Sequence, residues 1–291
     1  MLVPRGNYAA RLPELEVISS GSKIFNDYWY ARGAELNHYR LEQARYGKIY
    51  KGDALLVFVT EKFLPRKQVK ADQPDDNSVP ILKLNFIKKF TTGLYDYSMM
   101  SSTFTPIDYR RFPRSIKVSA SSQDWCGHSF FQMNHREGGY QALLRSYFET
   151  EGDQNYKIAS AWLENEIWNR IRIAPESLPL GEIKIIPGTL SARLRHRKPE
   201  VETASASLTG LEKGLAGYTL DYRDSNRQLT IKFTRKFPHE IVAWEETYES
   251  PWTDRKKLTT RAVRTDILMT DYWNKNRKID SYLRKKLGLK M

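Results

Sequence analysis

The sequence predicts a mainly β fold of the α+β class: a curved antiparallel sheet, or an open β-barrel-like meander, with a mid-chain helix and a C-terminal helix. Three observations support this prediction. Apolar and polar residues alternate over many short segments, which is the period of a half-buried strand. Aromatic residues, which are enriched in strands, make up 12% of the chain. Helical periodicity is confined to two segments.

Strands in the N-terminal part of the chain are predicted from apolar runs and from alternation. Residues 54–59 form a continuous apolar run, as expected for a strand that is covered on both faces. Residues 81–87 place Leu82, Leu84 and Phe86 on one face, with polar residues between them. Further strands are predicted near residues 34–44, 94–105, 115–121, 128–134 and 140–148.

The clearest hairpin in the C-terminal part spans residues 217–235. Two alternating segments flank residues 223–227, where Asp, Ser and Asn favour a turn. Residues 190–197 also alternate, with leucines and an alanine predicted to point inward, and they predict another strand. Residues 240–248 and 257–268 continue the antiparallel pattern.

Two segments favour helices. Residues 158–171 place several apolar side chains roughly along one side, which predicts an amphipathic helix. Residues 271–287 form the predicted C-terminal helix, with Gly288 as its C-cap. Between the two, residues 172–181 contain two prolines and a glycine and predict a crossover.

The chain of 291 residues predicts one β-rich domain at residues 24–291, optionally formed from two halves, 24–172 and 173–291. A ligand site is best sought where such halves meet. Residues 1–23 are predicted to be a disordered or tag-derived segment, because the first six residues resemble a thrombin-cleavage scar. No signal peptide is visible at this start.

The formal net charge of +13 favours anionic partners. Residues 251–291 carry 12 basic and 4 acidic side chains, a net of +8, and a second basic group lies at 193–198. The candidate anion-docking residues are Arg193, Arg195, Arg197, Lys256, Lys257, Lys285 and Lys286. An anionic membrane surface is one partner that this charge would suit. Binding of a polyanion or nucleic acid through the basic C-terminal segment is an alternative, although no recognised nucleic-acid motif supports it.

Residues 122–134 contain the richest group of reactive side chains. On a strand, Cys126 and His128 would share a face, which is one arrangement for a thiolate nucleophile and its base. Asp124 is the neighbouring acid. A hydrolase or transferase is therefore an alternative function. The competing interpretation is that the single cysteine is a small hydrophobic residue of the core.

Other chemistry finds little support. The histidines are scattered and the only cysteine cannot build a multi-cysteine site, so no metal is predicted. No glycine-rich phosphate loop is present, and no cofactor is predicted. Aromatic and polar side chains in the predicted strands and turns supply candidate ligand-binding residues: Trp125, Gln132, Asn134, Trp244 and Glu246.

Several motifs resemble an uncharacterised bacterial family whose members are exported or lipoprotein-like. The motifs are Tyr28-Trp29-Tyr30 and the segments 34–47, 57–61, 79–85 and 124–130. Many members are labelled "septum formation inhibitor Maf", and the resemblance runs from about residue 24 to the C-terminal helix. True Maf proteins are α/β nucleotide pyrophosphatases with a Ser-x-Ser-Pro-x-Arg signature. This chain has no such segment, so no Maf active-site residue is assigned.

The favoured hypothesis is therefore a non-enzymatic, exported binding or cell-envelope protein. It would hold an apolar or lipid-like ligand in a concavity of the sheet, in an architecture similar to lipoprotein-carrier half barrels. The resemblance implies a periplasmic or cell-envelope location, with a leader that is absent from this chain. A cytoplasmic location stays open, and the sequence does not predict an oligomeric state.

Overall fold

One large sheet dominates the structure, a computed structural model that describes residues 12–250, 252–253 and 256–289. The sheet contains sixteen strands of the described chain, nearly all antiparallel. The strands are β1 (Ala34–Arg45), β2 (Lys48–Leu64), β3 (Val69–Lys70), β4 (Val79–Thr92), β5 (Tyr95–Pro106), β6 (Lys117–Asp124), β7 (Gly127–Arg136), β8 (Gly139–Ser146), β9 (Gln154–Ala159), β10 (Trp162–Leu163), β11 (Gly181–Ile186), β12 (Glu202–Gly210), β13 (Leu215–Tyr222), β14 (Arg227–Thr234), β15 (Ile241–Glu249) and β16 (Lys257–Thr270).

The strand order is that of a meander. The first and last strands of the described chain, β1 and β16, lie side by side in the middle of the sheet. From one edge it runs β10-β11-β12-β13-β14-β15-β16-β1-β2-β4-β5-β6-β7-β8-β9, and β3 pairs with β2 beside this path. β16 pairs with β1, so strands from the two predicted halves form one continuous sheet. β9 and β10 are the edges, and the sheet stays open. The predicted fold class, mainly β with an open antiparallel sheet, is confirmed.

Four helices accompany the sheet in the described chain: α1 (Lys23–Trp29), α2 (Glu164–Ile173), α3 (Thr189–Leu194) and α4 (Tyr282–Lys286). Short 3-10 turns lie at Pro175–Ser177, Tyr272–Asn274 and Lys278–Ser281. All ten residues of α2 are buried, so the sheet wraps around this helix. The rings of Trp168 on α2, Phe86 on β4 and Trp244 on β15 pack together with centroids 5.1–5.3 Å apart. This aromatic group is the centre of the core.

The α2 helix carries six polar or charged residues into this interior, and each of them needs partners there. Asn169 donates to the carbonyl of Leu82 at 3.0 Å and to the hydroxyl of Thr105 at 2.8 Å. Glu166 accepts from the backbone N–H of Ser115 at 2.7 Å. Burial raises the pKa of Glu166. These contacts fix the helix against β4 and β5.

The sequence-based helix at 158–171 was placed too early. Residues 154–159 form β9, and Trp162–Leu163 forms the short edge strand β10 before α2 begins at Glu164. The polar residues of α2 explain the error, because a buried helix that carries so many charges lacks a clean apolar stripe. The predicted helix at 271–287 is also interrupted: it consists of two 3-10 turns followed by α4.

The strand predicted at residues 190–197 is wrong, since Thr189–Leu194 forms α3. Leu190 and Leu194 are four residues apart, and this spacing fits one helix face as well as a strand pattern. The structure selects the helix because Asn165 on α2 accepts a hydrogen bond from the Thr189 N–H at 3.2 Å. The hairpin predicted at 217–235 is confirmed as β13 and β14.

The predicted disordered or tag-derived segment, residues 1–23, lies in part outside the described residues, which begin at residue 12. Residues 12–22 pack on the protein. The Glu16 N–H donates to the Arg235 carbonyl at 3.0 Å, and the Glu16 carboxylate accepts from the Phe237 N–H at 2.9 Å. Leu15 and Ile18 add apolar contacts to the core.

Gly52 lies where β2 and β4 come into close contact. A Cβ atom at this position would stand 2.3 Å from the Lys89 carbonyl oxygen and 3.0 Å from Phe90 Cα. We expect Gly52→Ala to lower the free energy of unfolding by about 1–3 kcal/mol, because the paired backbones would have to shift. Gly21→Ala is the matched control, since a Cβ there meets no atom within 4 Å. Urea unfolding measures both; an equally stable Gly52→Ala variant would contradict the close contact.

Candidate ligand-binding cavity

The interior that the sheet encloses is largely occupied by α2 and the aromatic core, so a ligand must bind beside them. A cavity of about 240 Å³ lies between the inner face of β6, β7 and β8 and the segment that follows β11. Residues from both predicted halves therefore line it. Its volume is slightly below the roughly 300 Å³ at which drug-sized sites begin, so it suits a small ligand.

The wall formed by the sheet is apolar with two hydroxyl groups. Strands place alternate residues on one face, which brings the lining side chains inward together. The buried side chains of this wall are Ala120, Ser122, Ser129, Phe131 and Leu144. The opposite wall is α3, which contributes Leu190 and Ala192.

The α3 helix is held in place from its other side. Thr189 bonds to Asn165 at the start of α2, and the Ser191 hydroxyl donates to the Glu246 carboxylate at 2.5 Å. The residue before α3 is Gly188. A larger residue would not fit there, because its Cβ would stand 2.3 Å from the Glu164 carboxylate. The cavity wall is therefore positioned by the buried charges of the interior.

The rim of the cavity is cationic and contains one paired carboxylate. Arg193 donates to both oxygens of Glu151 at 2.6 and 2.8 Å, and its guanidinium lies 4.4 Å from the Phe148 ring centroid. The His196 Nδ1 lies 2.7 Å from the same carboxylate. Burial would raise the pKa of Glu151, but bonds from His196 and Ser146 and the charge of Arg193 lower it to about 2. Glu151 therefore stays ionised.

Arg197 and Lys198 complete the rim. Both are exposed and line the cavity. Lys198 lies 3.3 Å from Glu200 and 4.2 Å from the Tyr156 ring centroid. Among the residues that the structure describes, Arg197 has no ion-pair partner. Its charge is available to an anion that enters the mouth of the cavity.

The residues proposed for covalent catalysis lie elsewhere, at the turn between β6 and β7. Cys126 and Trp125 are exposed in this turn, and His128 is exposed on β7. Asp124 accepts from the backbone N–H groups of Cys126 at 2.8 Å and Gly127 at 3.2 Å. The prediction that Cys126 and His128 share a strand face is therefore wrong, because Cys126 lies in the turn. Asp124 acts as a turn-forming residue.

The predicted ligand-binding residues are not brought together. Gln132 and Asn134 lie on the face of β7 that is opposite to the cavity-lining Phe131. Trp244 is 1% exposed and belongs to the aromatic core. Glu246 is buried in an ion cluster. These four residues therefore cannot form one site with Trp125.

The cluster around Glu246 consists of charges that compensate each other inside the sheet. Arg227 donates to Glu246 at 2.6 Å and to the two oxygens of Glu164 at 2.5 and 2.7 Å. Burial would raise the pKa of Glu246, but the charges of Arg227 and Lys88 lower it to about 2. Burial lowers the pKa of Lys88. The adjoining space is only about 30 Å³, room for about one water molecule, which gives this cluster a structural role.

The predicted anion-docking residues separate into exposed and buried ones. Lys256, Lys257, Lys285 and Lys286 are exposed. Arg197 is exposed as well, whereas Arg193 is half-buried and paired with Glu151. Arg195 is 8% exposed and points into the interior. Burial and the charge of Arg227 lower its pKa to about 10. Arg195 is thus part of the internal charge network and cannot dock a surface anion.

Sequence reasoning missed most of the cavity. Ser122 and Ser129 are partners in the β6–β7 pair, but Glu151 and His196 lie farther along the chain, and only the tertiary structure brings them to the same cavity. The basic group at 193–198 and the expectation of a site between the two halves were the signals that pointed there. No group of three or more His, Cys, Asp or Glu side chains that could hold a metal ion occurs in the described parts of the chain.

Comparisons with known proteins give a structural similarity and no family. No protein-family model matches the chain, and no curated protein matches it. Among solved structures, the chain is similar to the crystal structure of a beta-barrel-like protein of a domain of unknown function, DUF1849, from Brucella abortus. The two are 8% identical with a TM-score of 0.49, covering 82% of this chain and 99% of that chain. Within residues 12–250, 252–253 and 256–289, no helix is long and apolar enough to cross a membrane.

Proposed function

We propose that this protein is a non-enzymatic binding protein that holds a small amphipathic anion, such as a medium-chain fatty acid, in the cavity beside α3. The observation that carries the proposal is the pairing of an apolar wall with a cationic rim in one cavity of about 240 Å³. The acyl chain would contact Phe131, Leu144 and Leu190, and burial of its methylene groups would supply the affinity. The carboxylate would lie near Arg197.

The cell envelope is the proposed location, on the strength of the family resemblance in the sequence. A carrier of acyl chains would find its ligand in that compartment. Fractionation of cells that produce the protein from its native gene tests the location separately from binding. Recovery in the cytoplasmic fraction alone would remove this part of the proposal and leave the cavity assignment unchanged.

Calorimetric titration with decanoate and decanol tests the binding function, because the two share a tail and differ in charge. We expect decanoate to bind more tightly. Arg197→Gln should weaken the binding of decanoate by at least about 10-fold, since a charge-assisted hydrogen bond contributes roughly 1.5–3 kcal/mol. The same change should leave decanol almost unaffected. Ala120→Leu, which fills the cavity, should weaken both ligands.

Arg40→Gln is the matched control, since Arg40 is exposed on β1 and does not line the cavity. It should bind decanoate like the wild type. Equal affinities of wild type and Ala120→Leu for decanoate would show that the ligand binds elsewhere. Absence of binding for both ligands would refute the proposed function.

A further inference from the structure

The C-terminal segment exposes large apolar side chains. Ile279 is 73% exposed, Tyr282 is 51% exposed and Trp273 is 50% exposed. All three follow β16, within nine residues of one another in the chain. Apolar groups of this size favour any partner that removes them from water.

The segment is fixed to the protein by its other side, so these side chains have a defined direction. Asp280 and Leu287 are buried, and they are seven residues apart, which puts them on one side of the helical turns. Ile279, Tyr282 and Lys286 are spaced by three and four residues and share the outer side. The Lys286 ammonium lies 5.2 Å from the Tyr282 ring centroid, in agreement with this arrangement.

The charge around these apolar groups is positive. Asp271 pairs with Lys275 and Asp280 pairs with Arg277, each at 3.2 Å, so the two acids of the segment are already neutralised. Lys278, Lys285 and Lys286 are exposed. Within the described chain, none of these three lysines forms an ion pair. We call Lys278, Ile279, Tyr282, Lys285 and Lys286 the C-terminal patch.

We propose that the C-terminal patch docks on the surface of an anionic lipid bilayer. Ile279 and Tyr282 enter the headgroup region, and the three lysines contact the lipid phosphates. Interfacial helical segments combine apolar side chains with Lys or Arg in this way, and Tyr and Trp are enriched at the membrane–water boundary. A lipid surface fits better than nucleic acid, because the most exposed apolar side chain of the patch is the aliphatic Ile279, which cannot stack on a base.

Flotation with phosphatidylcholine vesicles, with and without phosphatidylglycerol, tests this docking on the intact protein. The wild type should bind only the anionic vesicles, and binding should weaken with added salt. Combined Lys278→Glu, Lys285→Glu and Lys286→Glu should weaken binding by at least about 100-fold, from the usual contribution of a lysine near an anionic surface. Ile279→Ser with Tyr282→Ser should weaken it by about 10-fold through lost apolar burial.

The matched control is Lys67→Glu, Lys213→Glu and Lys236→Glu, three exposed lysines outside the patch. Each set of three replacements lowers the formal charge from +13 to +7, so net charge is the same in both. The control should bind anionic vesicles within about 3-fold of the wild type, since these lysines lie off the docking surface. Thermal unfolding of all variants checks that they fold.

Three results would overturn the docking. Equal losses in the two lysine sets would show that overall charge, and not the patch, attracts the vesicles. Unchanged binding after the Ile279 and Tyr282 replacements would remove the insertion. Tighter binding of duplex DNA than of anionic vesicles at the same salt would assign the patch to another class of partner.

Discussion

Arg227→Met is expected to lower the free energy of unfolding at pH 7 by about 3–5 kcal/mol, the usual cost of removing one partner from a buried ion pair. Arg227 is 2% exposed and bonds to two buried carboxylates, those of Glu164 and Glu246. Without the guanidinium, these carboxylates keep their burial and lose their closest compensating charge. Chemical denaturation at pH 7 measures the loss.

The loss should become smaller as the pH falls from 7 to 4. In the wild type, the pKa of Glu246 is about 2, below its ordinary value of 4.5. Its stabilising contribution is therefore present above about pH 4.5 and disappears as the pH falls towards 2. In the Arg227→Met variant, Glu246 stays buried without the arginine charge, and this raises its pKa. Acidification then protonates Glu246, removes the unpaired charge and reduces the destabilisation.

Arg261→Met is the matched control for Arg227→Met. Arg261 is on β16, its side chain is 54% exposed, and it lies 3.5 Å from Glu245. A surface pair of this kind contributes at most about 1 kcal/mol. Losses of similar size for the two arginine variants would contradict the structural role of the buried cluster.

Glu35→Gln is expected to destabilise the protein by a similar amount, about 3–5 kcal/mol, because it leaves Arg172 charged and unpaired in the core. Both side chains are 0% exposed. Arg172 Nη2 donates to Glu35 at 2.6 Å, and Nε donates to the Pro238 carbonyl at 2.8 Å. This pair ties α2 to β1 and to the loop before β15. Denaturant unfolding of purified variants at pH 7 is the measurement.

A double-mutant cycle separates the interaction energy of the Glu35–Arg172 pair from the cost of lost packing. Arg172→Met alone should also destabilise, whereas Glu35→Gln with Arg172→Met should lose less than the sum of the single variants. The expected coupling is about 2–3 kcal/mol, at the upper end for residues in direct contact. Additive losses would show that the two charges do not stabilise each other.

The strands were largely predictable because alternation of apolar and polar residues is a local signal. β13 and β14 appear in the sequence with their turn, although Arg227, predicted in the turn, begins β14 and pairs with Tyr222. The edge strands were not predictable: the helix predicted at 158–171 covered the end of β9 and all of β10. The two residues of β10 are a single repeat of the strand pattern, which does not distinguish a strand from a helix.

The charged residues were the main source of error. Arg195, Glu246 and the polar residues of α2 carry the composition of a solvated surface, and the sequence contains no local sign of their burial. Their burial depends on partners of opposite charge that lie far away in the chain. Glu164 pairs with Arg227, and Glu35 pairs with Arg172. A basic group such as 193–198 therefore divides between the cavity rim and the interior.

The sequence by itself determined the fold class, the main hairpin and the excess of positive charge near the C-terminus, because each depends on composition or on neighbours in the chain. Tertiary structure alone decided which charges face inward, where α3 lies and how the cavity forms. These depend on the curvature of the sheet around α2, which brings residues 120–154 and 189–199 together. Contacts between such distant segments leave no periodic trace in one sequence.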